Sequence, residues 1–220
     1  VSPSTTFNVT SGDAFDLDSS AGITFTNNNP EVTITGADDG INAYHDGTYG
    51  GALSITTTGT TTGTTKEGIK ASNGTGSTSI TINAVTTTGG RYGIFAENDG
   101  TGALSITTTG TTTGTGRDGI YANNSSAGTS LTINAATTTG GEDGIDALNN
   151  GTGALSITTT GTTTGTAKDG INAFINNTAS TGDLTINAAT TTGGDDGIVA
   201  INYGTGALSI TTSGTTTGGT

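Results

Sequence analysis

A carboxylate stands immediately before six of the seven Gly-Ile-x-Ala tetrapeptides in this chain: Asp39, Glu67, Asp118, Asp143, Asp169 and Asp196, with Tyr92 at the remaining place. One residue earlier come Asp38, Lys66, Arg91, Arg117, Glu142, Lys168 and Asp195, a set that holds four of the protein's five basic residues. Acids and bases repeated side by side predict a surface ion-pair ladder, each pair worth little alone. Where both residues are acidic, at Asp38/Asp39, Glu142/Asp143 and Asp195/Asp196, the alternative is a structural calcium ion, which takes hard oxygen ligands. No G-G-x-G-x-D calcium-roll repeat is present, so the ladder is the first expectation. No other cofactor is expected.

Catalytic chemistry finds little to work with. His45 is the one histidine, in a Y-H-D-G stretch without a repeated partner, and it reads as an exposed loop residue. Asp13, Asp16 and Asp18 cluster near the start and read as a solvated turn. There is no Ser–His–Asp order, phosphate loop or metal-binding histidine pair, so a non-enzymatic protein is expected. Aromatic residues gather beside the Gly-Ile-x-Ala motif: Tyr44, Tyr49, Tyr92, Phe95, Tyr121, Phe174 and Tyr203. Aromatic side chains at a surface are contact points for sugars or proteins. They equally serve to cover apolar surface beneath loops. A third set is Thr-Thr-Thr-Gly, whose first and third threonines share one face of a strand. A grid of that kind resembles the ice-binding face of some β-helical antifreeze proteins. Thr ladders also stabilise parallel strands by β-propensity alone.

The elements that must position these residues follow from periodicity. The glycines of Gly-Ile-x-Ala are Gly40, Gly68, Gly93, Gly119, Gly144, Gly170 and Gly197, spaced 25–28 residues apart. Leu/Ile-x-Ile pairs recur in step, from Leu53/Ile55 to Leu208/Ile210. Units reading G-A-L-S-I-T-T-T-G-T-T-T-G alternate with units such as L-T-I-N-A-A-T-T-T-G-G. Apolar and polar residues alternate with the two-residue period of a strand. One such unit buries too little to fold alone, but stacked units share a core. The prediction is an all-β, single-stranded parallel β-helix of about seven coils, with Ile41, Ile69, Ile94, Ile120, Ile145, Ile171 and Ile198 as one core column. Residues 1–36 form an N-terminal cap or atypical coil, and 37–220 the repeat array, expected to continue or be covered at its C-terminal end. This explains how 29% hydrophobic residues suffice where an ordinary domain has about 45–50%. The net charge of −13 argues against nucleic acid and anionic membranes as partners. The chain has no cysteine, and no apolar run approaches the length of a membrane span.

The repeat G-A-L-S-I-T-T-T-G-T-T-T-G-T-x-x-D-G-I-x-A, at Gly102–Ala122 and Gly153–Ala173, resembles the passenger repeats of bacterial autotransporter adhesins. The resemblance runs over nearly all of the chain after about Val32. It implies a right-handed β-helical passenger, usually cysteine-free, on the outer surface of a Gram-negative bacterium or secreted from it. The family's translocator barrel would lie beyond Thr220. The implied role is an extracellular stalk with adhesion along the variable edge, at Tyr44, Tyr49, Phe95, Tyr121, Phe174 and Tyr203. The partner would be a glycan or protein on a host or neighbouring cell. Two alternatives stand beside it: an ice-binding threonine face, and a filament subunit that self-associates end to end through open coil ends.

Overall fold

A computed structural model of the chain describes residues 5–219; the outermost limits of the predicted cap and array lie outside them. Every element among these residues is a strand. They are β1 (Thr6–Asn8), β2 (Phe15–Ser19), β3 (Ile23–Asn27), β4 (Thr33–Gly36), β5 (Ile41–His45), β6 (Leu53–Gly63), β7 (Ile69–Asn73), β8 (Ile80–Gly89), β9 (Ile94–Asn98), β10 (Leu104–Gly114) and β11 (Ile120–Asn124). There follow β12 (Leu131–Gly140), β13 (Ile145–Asn149), β14 (Leu155–Thr159), β15 (Thr162–Gly165), β16 (Ile171–Ile175), β17 (Leu184–Ala188), β18 (Thr190–Gly193), β19 (Ile198–Asn202), β20 (Leu208–Thr212) and β21 (Thr216–Thr217). All pairings are parallel. The protein is a β-solenoid.

Each coil gives one five-residue strand to an 8-stranded sheet, ordered β19-β16-β13-β11-β9-β7-β5-β2, and a longer stretch to a 13-stranded sheet. We call these the short-strand and long-strand sheets. The described residues thus form eight coils, one more than the Gly-Ile-x-Ala motifs. The extra coil comes from the atypical N-terminal segment. Phe15 stands in register with Ile41 and Leu17 with Ala43, so larger side chains fill the same columns where the solenoid begins.

The motif columns close the core. Ile41, Ile69, Ile94, Ile120, Ile145 and Ile171 are fully buried, as are the alanines two residues on from each and the Leu/Ile pairs through Leu184/Ile186. Ile198, in the last short strand, is only partly buried. Each isoleucine sealed in this way contributes about 1.5–3 kcal/mol. The glycine before it has a packing reason. A Cβ on Gly119 would lie 2.5 Å from the Thr138 methyl and 2.7 Å from the Gly144 carbonyl oxygen. That Thr138 is the middle residue of Thr-Thr-Thr, and its equivalents Thr61, Thr87, Thr112, Thr163 and Thr191 also point inward. Their methyls pack well, but their hydroxyls are buried without a hydrogen-bond partner among the described residues.

The alternating unit lengths also find an account. β6 has 11 residues and its neighbour β8 has 10. The extra residue is absorbed as an irregularity between Thr57 and Thr60, the signature of a bulge. Register recovers beyond it, so Thr60, Thr61 and Thr62 pair with Thr86, Thr87 and Thr88.

A second buried column, which the sequence reading missed, holds the coil corners. Asn73, Asn98, Asn124, Asn149 and the partly buried Asn202 end their short strands in register, with Ile175 between the last two. Asn98 Nδ2 donates to Asn124 Oδ1 (2.7 Å), and Asn124 Nδ2 donates to Asn149 Oδ1 (2.9 Å). Their amides also bind the following loops, as in Asn149 Nδ2 to the Gly153 carbonyl (2.9 Å). His45 occupies the same column and is fully buried, which corrects the expectation of an exposed loop residue. Its Nδ1 lies 2.9 Å from the Ser19 carbonyl oxygen and its Nε2 2.9 Å from that of Gly50. Its ring lies between a carbonyl of the previous coil and one of its own following loop, and the loop carbonyl is the kind of group that the Asn98 and Asn149 amides bind.

Two substitutions test this packing. Gly119→Ala must push the Thr138 methyl and a backbone carbonyl apart, and should lower stability by about 1–3 kcal/mol. Thr138→Val keeps the shape and removes an unsatisfied hydroxyl, so it should be neutral or stabilising by about 1 kcal/mol. Chemical denaturation of the two variants against the parent measures both signs.

Candidate functional site

Chemistry-bearing residues converge on the outer face of the short-strand sheet and on the corner where each coil enters it. The corner carries the acidic column. Its carboxylates do not chiefly form ion pairs. The Asp39 backbone N–H donates to Asp13 Oδ1 (2.9 Å), that of Glu67 to Asp39 Oδ1 (2.7 Å), and that of Asp143 to Asp118 Oδ1 (3.1 Å). The same bond recurs from Asp169 to Asp143 (2.8 Å) and from Asp196 to Asp169 (3.1 Å). Asp13, Asp39, Asp118, Asp143 and Asp169 therefore each cap a backbone donor of the next coil. Asp13 is the first rung of this ladder, not part of a solvated turn, and Asp16 and Asp18 lie on β2 with exposed side chains.

The ion pairs run mostly within the neighbouring column. Lys66 pairs with Asp38 (3.0 Å), and Lys168 and Arg117 both reach Glu142 (2.7 and 3.7 Å). Arg91 crosses to Glu67 (3.3 Å) and Lys168 stands 3.9 Å from Asp143. The proposed calcium corners at Asp38/Asp39 and Glu142/Asp143 are thus already engaged with lysine. Among the described residues, the carboxylates that come within 4.8 Å of one another are instead Asp118, Asp143 and Asp146. Asp146 joins them from the outward x position of Gly-Ile-x-Ala. Three such oxygens are hard ligands for a divalent cation, and protonation relieves the same crowding.

Burial sets the electrostatics. It pushes Asp118 up to about 6, and pushes Asp146 up to about 7 with help from the charges of Asp118 and Asp143. Asp39 is raised to about 7 by burial and by Glu67 beside it. Glu142 is held below its ordinary value by its hydrogen bond from Lys168.

The aromatic residues divide into two groups. Phe95 and Tyr121 occupy the same outward column on adjacent coils. Their rings stack with centroids 4.9 Å apart and planes 13° from parallel, and Tyr92 packs against both at 5.2 and 5.7 Å. The Arg91 guanidinium lies over Tyr92 at 5.5 Å. The stack is half-buried, and the ring faces between Phe95 and Tyr121 are spent on each other. Tyr44, Tyr49 and Tyr203 are exposed, at 47%, 79% and 55%. Phe174 is half-buried, beside Leu148 and Ile201 on its two neighbouring strands.

No family model, curated protein or solved structure matches the chain.

The raised carboxyls predict a pH dependence. Asp39, Asp118 and Asp146 bind a proton more tightly folded than unfolded, so protonation favours the fold. Stability should rise as pH falls from 8 through the folded values near 7 and 6, and level off near the unfolded value of about 4. Asp146→Asn should raise the melting temperature at pH 8 and flatten the profile. Thermal melts of parent and variant from pH 8 to pH 5 measure this; a parent that loses stability over that range would refute it.

Proposed function

We propose that the chain is a segment of an autotransporter-type passenger: an extracellular, non-enzymatic β-solenoid rod that holds adhesive contacts away from a bacterial surface. The observation that carries the reading is the repetition of one in-register coil, whose rise of about 4.8 Å gives eight coils a length of about 38 Å. A ladder of backbone hydrogen bonds with stacked side chains makes such an element a stiff spacer. The lack of cysteine and the repeat resemblance support export in an extended state. The one histidine is fully buried between two backbone carbonyls, which supports a non-catalytic role. Contact with the partner falls to the short-strand sheet's outer face, because its x residues differ from coil to coil while the core stays constant. Beads coated with the protein should adhere to cells in a saturable way, above beads coated with an unrelated acidic protein. Equal adhesion of the two bead types would remove the adhesive role.

A second reading rests on the long-strand sheet. Thr35, Thr62, Thr88, Thr113, Thr139, Thr164, Thr192 and Thr217 form one outward column without a break. A parallel column two residues earlier includes Thr60 with Thr86 and Thr111 with Thr137. Methyls and hydroxyls at strand spacing on a regular face are suited to ordering water as ice does. If this face binds ice, the protein shapes growing crystals and shows thermal hysteresis, and the double variant Thr113→Lys, Thr139→Lys abolishes both. A parent without hysteresis or shaping at millimolar concentration excludes the reading.

A further inference from the structure

The outer face of the short-strand sheet is not uniform along the solenoid. Over β2, β5, β7 and β9 it sinks into two adjoining cavities of about 500 and 430 Å³, which share Asn42, Lys70 and Glu97 in their linings. Each lies in the size range of small-molecule sites. Because they share a floor, they form one groove that crosses several coils, a shape suited to an extended chain of rings.

The groove's residues have the chemistry to read such a chain. Tyr44 is 47% exposed and, among the described residues, stacks on no other ring. It contrasts with Phe95, one of whose faces is covered by Tyr121. A free aromatic face on a groove wall accepts the C–H face of a pyranose ring. In the next coil Ser72 pairs in register with Tyr44, which adds a hydroxyl. Lys70 makes no ion pair among the described residues, so its ammonium is available to oxygen acceptors. The two amide hydrogens of Asn42 are taken by Asp13 and Asp16, at 3.2 Å each.

The charge balance narrows the ligand. Asp16 and Asp18 are exposed on β2, and neither is part of an ion pair among the described residues. Asp99 and Glu97 line the opposite end of the larger cavity, where burial and the neighbouring Asp99 raise the Glu97 carboxyl. Against these four carboxylates that cavity holds a single base, Lys70; in the adjoining cavity Lys66 and Arg91 are each paired with a carboxylate, Asp38 and Glu67, which leaves Asp13 and Asp39 in excess there. Uronate, sialylated and sulfated chains would be repelled. A chain with ammonium groups on its rings would gain charge-assisted hydrogen bonds to carboxylates while its ring faces met Tyr44.

The geometry points to this groove as a binding site for an oligosaccharide with free amino groups, of the hexosamine class. The site gives the adhesive reading a ligand class, and the two fail separately: a rod can adhere to cells through other surfaces while this groove stays empty. The test is isothermal titration of the full chain with three probes: the glucosamine hexasaccharide, the N-acetylglucosamine hexasaccharide and hexalysine. Saturable binding of the amino hexasaccharide is expected, weakened tenfold or more by Tyr44→Ala and by Asp18→Asn. Thr211→Ala, an exposed position on the distant strand β20, should leave it unchanged. Both groove positions are exposed, and an unchanged melting temperature establishes that the variants are folded. No saturable binding of the amino hexasaccharide overturns the proposal. So does equal binding of the acetylated hexasaccharide, because the carboxylates would then not be read. Hexalysine bound as tightly, with Tyr44→Ala without effect on either ligand, would show only attraction to an acidic surface and would overturn it too.

Discussion

Everything in this molecule depends on the parallel backbone ladder that lays each coil on the last at one strand spacing. Once that ladder is set, a residue cannot be placed singly. It stands about 4.8 Å from its equivalents above and below, and its energy depends on whether the column suits it. Isoleucine, leucine and alanine columns pack with themselves. An asparagine column works because an amide carries both donor and acceptor, so each rung can donate to the next, as Asn98 does to Asn124 and Asn124 to Asn149. Aspartate columns should repel, and here they are held by a different device. Asp13, Asp39, Asp118, Asp143 and Asp169 each accept the backbone N–H of the acidic residue one coil on, which places a fixed positive dipole between like charges.

The architecture was legible because the core columns are the least variable positions. Gly-Ile-x-Ala, Leu/Ile-x-Ile and Thr-Thr-Thr-Gly mark one buried or turning position after another, and a two-residue period assigns their faces without ambiguity. What was not legible was burial at the coil corners. Asparagine serves turns and buried ladders alike, so residue type alone does not mark Asn73 or Asn124 as buried although I-x-A-x-N recurs in five units. His45 and Ile175 interrupt the column, which hides it further. The acidic column was seen, but its partners were misjudged. Composition shows the lysines beside the aspartates and cannot show the backbone donors that the next coil aims at them. The aromatic stack had a usable signal, since Phe95 and Tyr121 hold the same motif position in adjacent coils. In a parallel stack that alone places one ring on the other.

The two sheets divide the surface between regularity and variation. The long-strand sheet repeats threonine outward in every coil, and even the unit with an extra residue returns to register after its bulge. The short-strand sheet keeps its inward isoleucine and alanine but changes its outward residues from acidic and polar at the start, through aromatic in the middle, to Leu148, Phe174, Val199 and Ile201 near the end. A solenoid permits this because its core is built from the inward positions alone. Outward residues can then change with little effect on the fold, except where neighbours in a column must tolerate one another.

That exception explains where buried charge sits. Asp118, Asp143 and Asp146 crowd together because an outward aspartate on one coil meets the capping aspartates of its own coil and the one before. The capping bonds need the carboxylates there, while burial disfavours their charge. Protonation and Lys168 relieve part of the conflict, and no rearrangement of a single coil can remove it without breaking the ladder. The same reasoning applies to the inward threonines. Their methyls fill the space over each Gly-Ile-x-Ala glycine, and the hydroxyl that accompanies the methyl is carried into the core unpaired. In a wound chain, local costs of this kind persist because the column, and not the residue, is the unit that packs.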